Sequence, residues 1–332
     1  MDTDKKRNRT VDFLKGFAIL LIVFTHYDWT VDQRRIFVFP YLINMAVPIL
    51  MIITGYVYSL SLQKKNVAHL EDAYQGSVLL RRSVRYCLPL IVLAVWEICD
   101  PHFHLSGGFL DYVRWFINGT AGKGNYYFPV MLQMVFLFPI IYFILEKKKR
   151  TGLFICLIFN LTYEVLAWSY GMNTDCYRLL AFRYVFVVAA GVYAFRKYKM
   201  NLIWSAVIMA AGATFITSLV YMDYHPKIFN SDWASTNCIA SMLVIPLMIW
   251  LLKYEKLRFV PLEIIGKASY HIFLVQMAYY AGYYPILSDK LGKGPVLLLI
   301  GMAICLIIGI AFYLIDQPVQ NMINKFLPKS RD

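Results

Sequence analysis

The chain has 332 residues, of which 59% are hydrophobic and only 16% charged, with a formal net charge of +13. The apolar residues gather in blocks of roughly 16 to 25, long enough to cross a bilayer, which excludes an ordinary soluble enzyme and predicts an integral membrane protein. The positive surplus falls at block ends, where it would face anionic membrane lipid, and gives no reason to assign a nucleic-acid partner.

The blocks are continuous and rich in Leu, Ile, Val and Phe rather than weakly alternating, so the predicted fold class is an all-α transmembrane bundle and not a β-barrel. Taken in order, ten spans are expected, at about 11–29, 36–60, 86–99, 128–145, 152–169, 178–195, 201–220, 237–252, 268–287 and 295–315. The third is short and interrupted by Pro89, which predicts a kink or a buried position. Basic residues alternate along these spans. Lys5, Lys6, Arg7 and Arg9 precede the first; Lys64, Lys65, Arg81, Arg82 and Arg85 lie between the second and third; "EKKKR" follows the fourth, "RKYK" the sixth and "KYEKLR" the eighth; Lys325, Lys329 and Arg331 close the chain. Because Lys and Arg near span ends are retained in the cytoplasm, both termini are expected there. The first span reads as a retained anchor, since no A-x-A-like cleavage site follows it. No repeat or long linker breaks the sequence, so residues 1–332 are expected to form a single domain with no appended soluble domain.

Six cysteines are scattered without a C-x-x-C pair, which is not a metal signature. Cys176 and Cys238 both fall near the outer face, where a disulfide is conceivable but not indicated. His102 and His104 in "DPHFHLSGG" have a spacing that two metal ligands can take, although a solvated loop explains them as well, and no metal is expected.

Ionisable residues inside spans are costly and normally face a polar interior. Lys15 and His26 in the first span are eleven positions apart, which places them on one helix face about 16 Å apart along the axis. Arg82 and Arg85, at i and i+3 where the third span begins, share a face and can clamp a phosphate. Snorkelling explains Lys15, an interhelical hydrogen bond His26, and positive-inside anchoring the arginines, each taken singly. Together, Lys15, Arg82 and Arg85 make an anion site at the inner mouth of a bundle whose deeper wall carries His26. That layout suits a long cofactor with a phosphorylated head at the rim and a reactive end inward, with the imidazole as general base. Asp28 points elsewhere on the helix and forms no dyad with His26. Arg183 in the sixth span either snorkels or meets an interior partner or the acceptor. Tyr126 and Tyr127 border the outer mouth, where aromatic faces stack on sugars as readily as they sit in an interfacial belt. Gln133 either bonds a neighbouring helix or orients a substrate.

These residues fall in an order that resembles the membrane-bound acyltransferase 3 family. "DFLKGFAILLIVFTH" is similar to its first helix, an Asp, two residues, Arg, Gly, and a His eleven positions after the Arg, here Asp12, Lys15, Gly16 and His26. "VPILMIITGY" resembles the second-helix segment, "RSVRYCLP" the R-x-x-R followed by proline, and "YYFPVMLQMVFLFP" the segment with a central glutamine. "KASYHIFLVQ" and "YLIDQP" resemble the late helix and the terminal motif. The resemblance implies about ten membrane helices and transfer of an acyl group from cytoplasmic acyl-CoA, acetyl-CoA being the expected donor, to a hydroxyl of an extracytoplasmic or lipid-linked saccharide. It makes His26 the catalytic base, gives Lys15 the place of the motif arginine, and assigns Lys15, Arg82 and Arg85 to the donor; Tyr126, Tyr127 and Gln133 are expected at the substrate from their own positions. The protein is expected in the plasma membrane, among lipids, with a homo-oligomer left open, and its abundant Lys, Ile and Tyr point to a bacterial source. Three departures stand out: Lys15 for arginine, Gln276 where histidine is common, which argues against a second acid/base there, and Asp316 for glutamate. The rival readings are a secondary transporter with Lys15 and His26 on its path, which the lack of matching broken segments in two halves disfavours, and a silent scaffold, which has no use for both residues on one stripe.

Overall fold

The computed structural model describes residues 8–103, 107–198, 200–254 and 256–327, and among them every regular element is helical. In chain order these are α1 (Arg9–Thr25), α2 (Val31–Ile36), α3 (Ala46–Lys64), α4 (Leu70–Ala73), α5 (Gly76–Cys99), α6 (Phe109–Ile117), α7 (Tyr127–Lys147) and α8 (Lys149–Ser169). There follow α9 (Thr174–Leu179), α10 (Val185–Phe195), α11 (Leu202–Tyr221), α12 (Ile245–Tyr254), α13 (Val260–Lys267), α14 (Ser269–Ala278), α15 (Tyr284–Leu291) and α16 (Pro295–Phe326). Short 3₁₀ turns lead into α10 at Ala181–Tyr184 and precede α12 at Ala240–Leu243, and a π-helical segment, Tyr279–Tyr283, joins α14 to α15.

Five helices, α3, α7, α8, α11 and α16, are long and apolar enough to cross a membrane, and a sixth is reached if the segment from Ser231 to Leu243 and α12, bent by 55°, count as one. The expectation of ten spans is therefore met only in part. Apolar runs expected to be single helices are divided by the 3₁₀ and π segments, and the run beginning at 36 starts as turns before α3.

The core forms where small residues let backbones touch. Residues Val185 to Ala194 of α10 are all buried, so this helix is enclosed by its neighbours. A Cβ on Gly191 would stand 1.9 Å from the Ile52 carbonyl oxygen, and one on Gly55 would stand 2.1 Å from that of Val188, so α3 and α10 pack without space for any side chain there. The same device joins α1 to α13, where a Cβ on Gly16 would meet the Leu262 carbonyl oxygen at 2.0 Å and one on Gly266 that of Asp12 at 1.8 Å. Leu202, Trp204, Leu299, Ile307 and Ile315 remain exposed, as suits helix faces turned to lipid.

Hydrogen bonds collect the basic loop ends at one end of the bundle. Arg9 reaches Glu263 at 2.6 Å, Arg81 donates to the Leu327 carbonyl at 3.0 Å, and Arg196 reaches Glu146 at 2.7 Å. Lys253 donates to the Tyr198 carbonyl. The opposite end is tied separately, by Asp28 between Lys123 at 3.1 Å and Lys293 at 3.0 Å, and by the Tyr27 hydroxyl on the Gly294 carbonyl at 3.0 Å. Lys5, Lys6, Arg7, His104, Lys199, Lys329 and Arg331 lie outside the described residues.

Candidate functional site

At the basic end a cavity of about 470 Å³ opens between α1, α3, α5, α14 and α16. Lys15, Lys65, Arg81, Arg82, Arg85 and Lys267 all line it, against one lining carboxylate, Asp316, which is already paired with His271 at 2.9 Å. Lys15 is set there by Gly16, whose close approach to α13 draws α1 against the wall. The arginines come from the first turns of α5. Arg82 lays its guanidinium over the Tyr58 ring at 4.9 Å and donates from Nη2 to the Ser61 hydroxyl at 3.4 Å, while its buried Nη1 finds no acceptor. Lys65, exposed at the rim, is held below the ordinary lysine range by partial burial and by the neighbouring Arg82 and Arg81. Six cations line the cavity with one carboxylate, and an orphaned guanidinium N–H lies among them, so its field favours an anion.

The walls deepen into tyrosines and then apolar groups. Tyr58 donates to the Tyr86 hydroxyl at 3.0 Å, and the Tyr270 hydroxyl donates to the Tyr86 carbonyl at 2.9 Å. At the inner end stand Ile19, Leu50, Thr54, Tyr127 and Phe273, the last two in ring contact at 4.9 Å.

His26 lies just past this end. It is the C-cap of α1, seven residues beyond Ile19 and thus roughly 10 Å further along the axis. Its Nδ1 pairs with Oε1 of Gln276, a fully buried residue, and Gln276 Nε2 donates to the Lys123 carbonyl at 2.9 Å. Because a carbonyl can only accept, that second bond fixes which end of the Gln276 amide is nitrogen. The oxygen therefore faces the imidazole and Nδ1 carries a proton, so that in the neutral ring Nε2 keeps its lone pair. Gly124, at φ +98°, closes the space beside the ring; a Cβ there would stand 3.4 Å from His26 Cε1 and 3.1 Å from the Phe273 ring.

Lys15, Arg82 and Arg85 thus share one cavity, with Tyr127 at its inner end. His26 is not among the cavity's lining residues, although it shares a stripe with Lys15. The intervening Ile19, Ile22 and Val23 are buried apolar contacts, so the stripe is not an open channel. Tyr126 packs edge-on against Trp233 at 4.8 Å instead of lining the cavity. Gln133 bonds with both ends of its amide to the break between α9 and α10, donating to the Leu179 carbonyl at 2.7 Å and accepting from the Ala181 N–H at 3.1 Å. Asp28 bonds Lys123 and Lys293, not His26. His102 is held by Asp100 at 2.6 Å. Cys176 and Cys238 are free, one exposed and one buried, with no disulfide between them.

Arg183 does not snorkel. It is 1% exposed, its guanidinium 4.9 Å from the Tyr177 ring centre, 4.8 Å from that of Tyr184 and 4.5 Å from that of Trp233, and it donates to Thr236 at 3.0 Å.

The arrangement agrees with a comparison of sequences, in which a family model described as an acyltransferase domain, that of acyltransferase 3, matches residues 8–314. The chain belongs to the acyltransferase 3 family. This protein is therefore an acyltransferase, with helices suited to a membrane. No curated protein and no solved structure matches it.

Within this acyltransferase, residues that sequence reasoning left unused gather at the site. Gln276, read as a lost histidine, is the partner of the only histidine in α1 or at its cap, 250 positions away in the chain. Lys65 and Arg81 entered the sequence reading only through the positive-inside pattern and Lys267 only within the late-helix motif, yet all three line the same cavity as the R-x-x-R pair.

Proposed function

We propose that this acyltransferase moves an acyl group, acetyl being the expected one, from acyl-CoA held in the basic cavity to a hydroxyl of an extracytoplasmic or lipid-linked saccharide approaching His26 from the opposite end. The observation that carries the reading is the convergence of six cations on one cavity lined at its inner end by Phe273 and Tyr127, with Gly124 packed between the Phe273 ring and His26 outside the lining. On the positive-inside argument the basic end faces the cytoplasm of a bacterial plasma membrane, both termini with it, and the ten apolar runs, including broken ones, all contribute to the bundle.

Lys15, Arg82 and Arg85 hold the phosphates. Arg82 and Arg85 present planar forks, and Lys15 a point charge, which suffices where the partner is a phosphate oxygen rather than a paired carboxylate. Phe273 and Tyr127 screen the thioester from water until an acceptor is in place. His26 Nε2 takes the acceptor hydroxyl proton as the oxygen attacks the thioester carbon. The tetrahedral adduct then expels the thiolate, breaking the C–S bond, and the imidazolium returns the proton to sulfur. Gln276 holds the imidazole in the tautomer this requires.

His26→Ala tests the reading. Transfer of radiolabelled acetyl from acetyl-CoA to membrane glycans is expected to fall by about 10²- to 10⁴-fold, with donor affinity kept. Folded His26→Ala protein that transfers at the wild-type rate would remove the base. Solute flux without any dependence on CoA would replace the reading with a transporter.

A further inference from the structure

The inner half of α16 carries a pattern the catalytic reading does not use. Gln317, Gln320, Asn321 and Asn324 recur at i, i+3, i+4 and i+7, the spacing of one helix face, and all four line the basic cavity. They lie beyond residue 314, where the family match ends. Gln320 is 7% exposed and its Nε2 has no hydrogen-bond partner, so a buried amide N–H adjoins the cavity unsatisfied.

The register of this stripe against the arginines is set by Arg81, which donates to the carbonyl of Leu327. From that level, α5 descends roughly 6 Å to Arg85, while α16 descends roughly 4 Å to Asn324, 10 Å to Gln320 and 15 Å to Gln317. Asn324 therefore stands level with the cations, and the two glutamines stand below them, alongside whatever hangs from the phosphates.

We infer that this stripe holds the arm of the proposed donor, Gln317 and Gln320 pairing with its secondary amides below the phosphates. The inference rests on the proposed donor site and adds specificity-determining residues to it. A side-chain amide offers both donor and acceptor, which is what a desolvated secondary amide needs on its two edges. A hydrocarbon tail at the same depth would leave Gln320 and its neighbours unpaired, a cost that apolar side chains at these positions would avoid. The arginine wall thus takes the charge and the amide wall the arm.

The test is calorimetric titration of the full chain in detergent with two probes, acetyl-CoA and adenosine 3′,5′-bisphosphate, which keeps the base and two of the three phosphates but lacks the arm. Gln317→Leu/Gln320→Leu protein is expected to bind acetyl-CoA about 10- to 100-fold more weakly and to bind the bisphosphate as the wild type does, which also shows that the variant is folded. Equal weakening of both probes, or of neither, would overturn the inference, as would a wild type that binds acetyl-CoA no better than the bisphosphate. Competition with acetyl-CoA by phosphatidic acid in nanodiscs, undiminished in the glutamine variant, would assign the cavity to a lipid phosphate instead. A wild type that binds neither probe would refute the donor site itself, a result distinct from failure of the stripe.

Discussion

Two arginines of this bundle, Arg183 buried and Arg82 half-buried, meet opposite surroundings. Arg183 is enclosed by three ring faces, and Tyr177, one of those rings, also donates to the buried carboxylate of Glu164 at 2.8 Å, so a counter-charge lies within the same cluster. Arg82 has one ring, one hydroxyl and five other cations around a cavity. Arg183 also leaves Nε and Nη1 without acceptors, but ring faces and a carboxylate stand around it, whereas Arg82 stands in a surplus of like charge beside empty volume, a setting that suits an anionic ligand.

Replacing each arginine separates the two roles. Arg183→Ala removes the centre of its cluster and leaves the Glu164 carboxylate without its cation, so a stability loss of about 3–5 kcal/mol is expected, read by thermal unfolding in detergent. Donor affinity of the protein that remains folded should be unchanged. Arg82→Ala/Arg85→Ala should do the reverse, raising the dissociation constant for acetyl-CoA on the order of 100-fold while leaving the unfolding temperature nearly where it was. If the cavity variant unfolded early and the Arg183 variant lost donor binding, the assignment would be the wrong way round.

Gln276 sharpens the same comparison one layer further in, because both ends of its amide are bonded and one of them touches the proposed base. Gln276→Leu is expected to lower kcat by roughly 10- to 100-fold without changing the donor KM, since only the orientation of His26 is lost. Gln276→His, which keeps a hydrogen-bonding ring, should recover part of that activity. A rise in donor KM with kcat intact would place Gln276 in packing alone.

How much of this could be read from the sequence follows from how local each signal is. The cation rim is legible because Arg82 and Arg85 lie three apart on one helix and the other basic residues obey a rule about span ends. The motif glycine is legible as a residue, but only the structure gives its cause, the Leu262 carbonyl 2.0 Å from where its Cβ would be. Gln276 with His26 and Arg183 with Trp233 are meetings of distant segments, and no spacing encodes them. Broken spans escape for a different reason. Hydropathy records how apolar a run is, and Tyr279–Tyr283 or Ala181–Tyr184 is as apolar in a π or 3₁₀ turn as in an unbroken helix.

The smallest effect expected is also the one that tests whether the cations act together. Lys65 sits at the rim, where partial burial, Arg82 and Arg81 hold its pKa below the usual value. An anion in the cavity favours the protonated form, so donor affinity is full while Lys65 is charged and falls as pH rises through its depressed pKa in the free protein. Titrating acetyl-CoA binding between roughly pH 7 and 10 should show an alkaline loss of about threefold to tenfold, modest because the group is exposed. Lys65→Met should be weaker at neutral pH and lack that loss, and Lys65→Arg should hold its affinity to higher pH. In Arg81→Ala/Arg82→Ala protein the loss should move to higher pH, because the neighbours that depress Lys65 are gone. An alkaline limb that stayed in place there would mean that the six cations line one cavity without acting as one site.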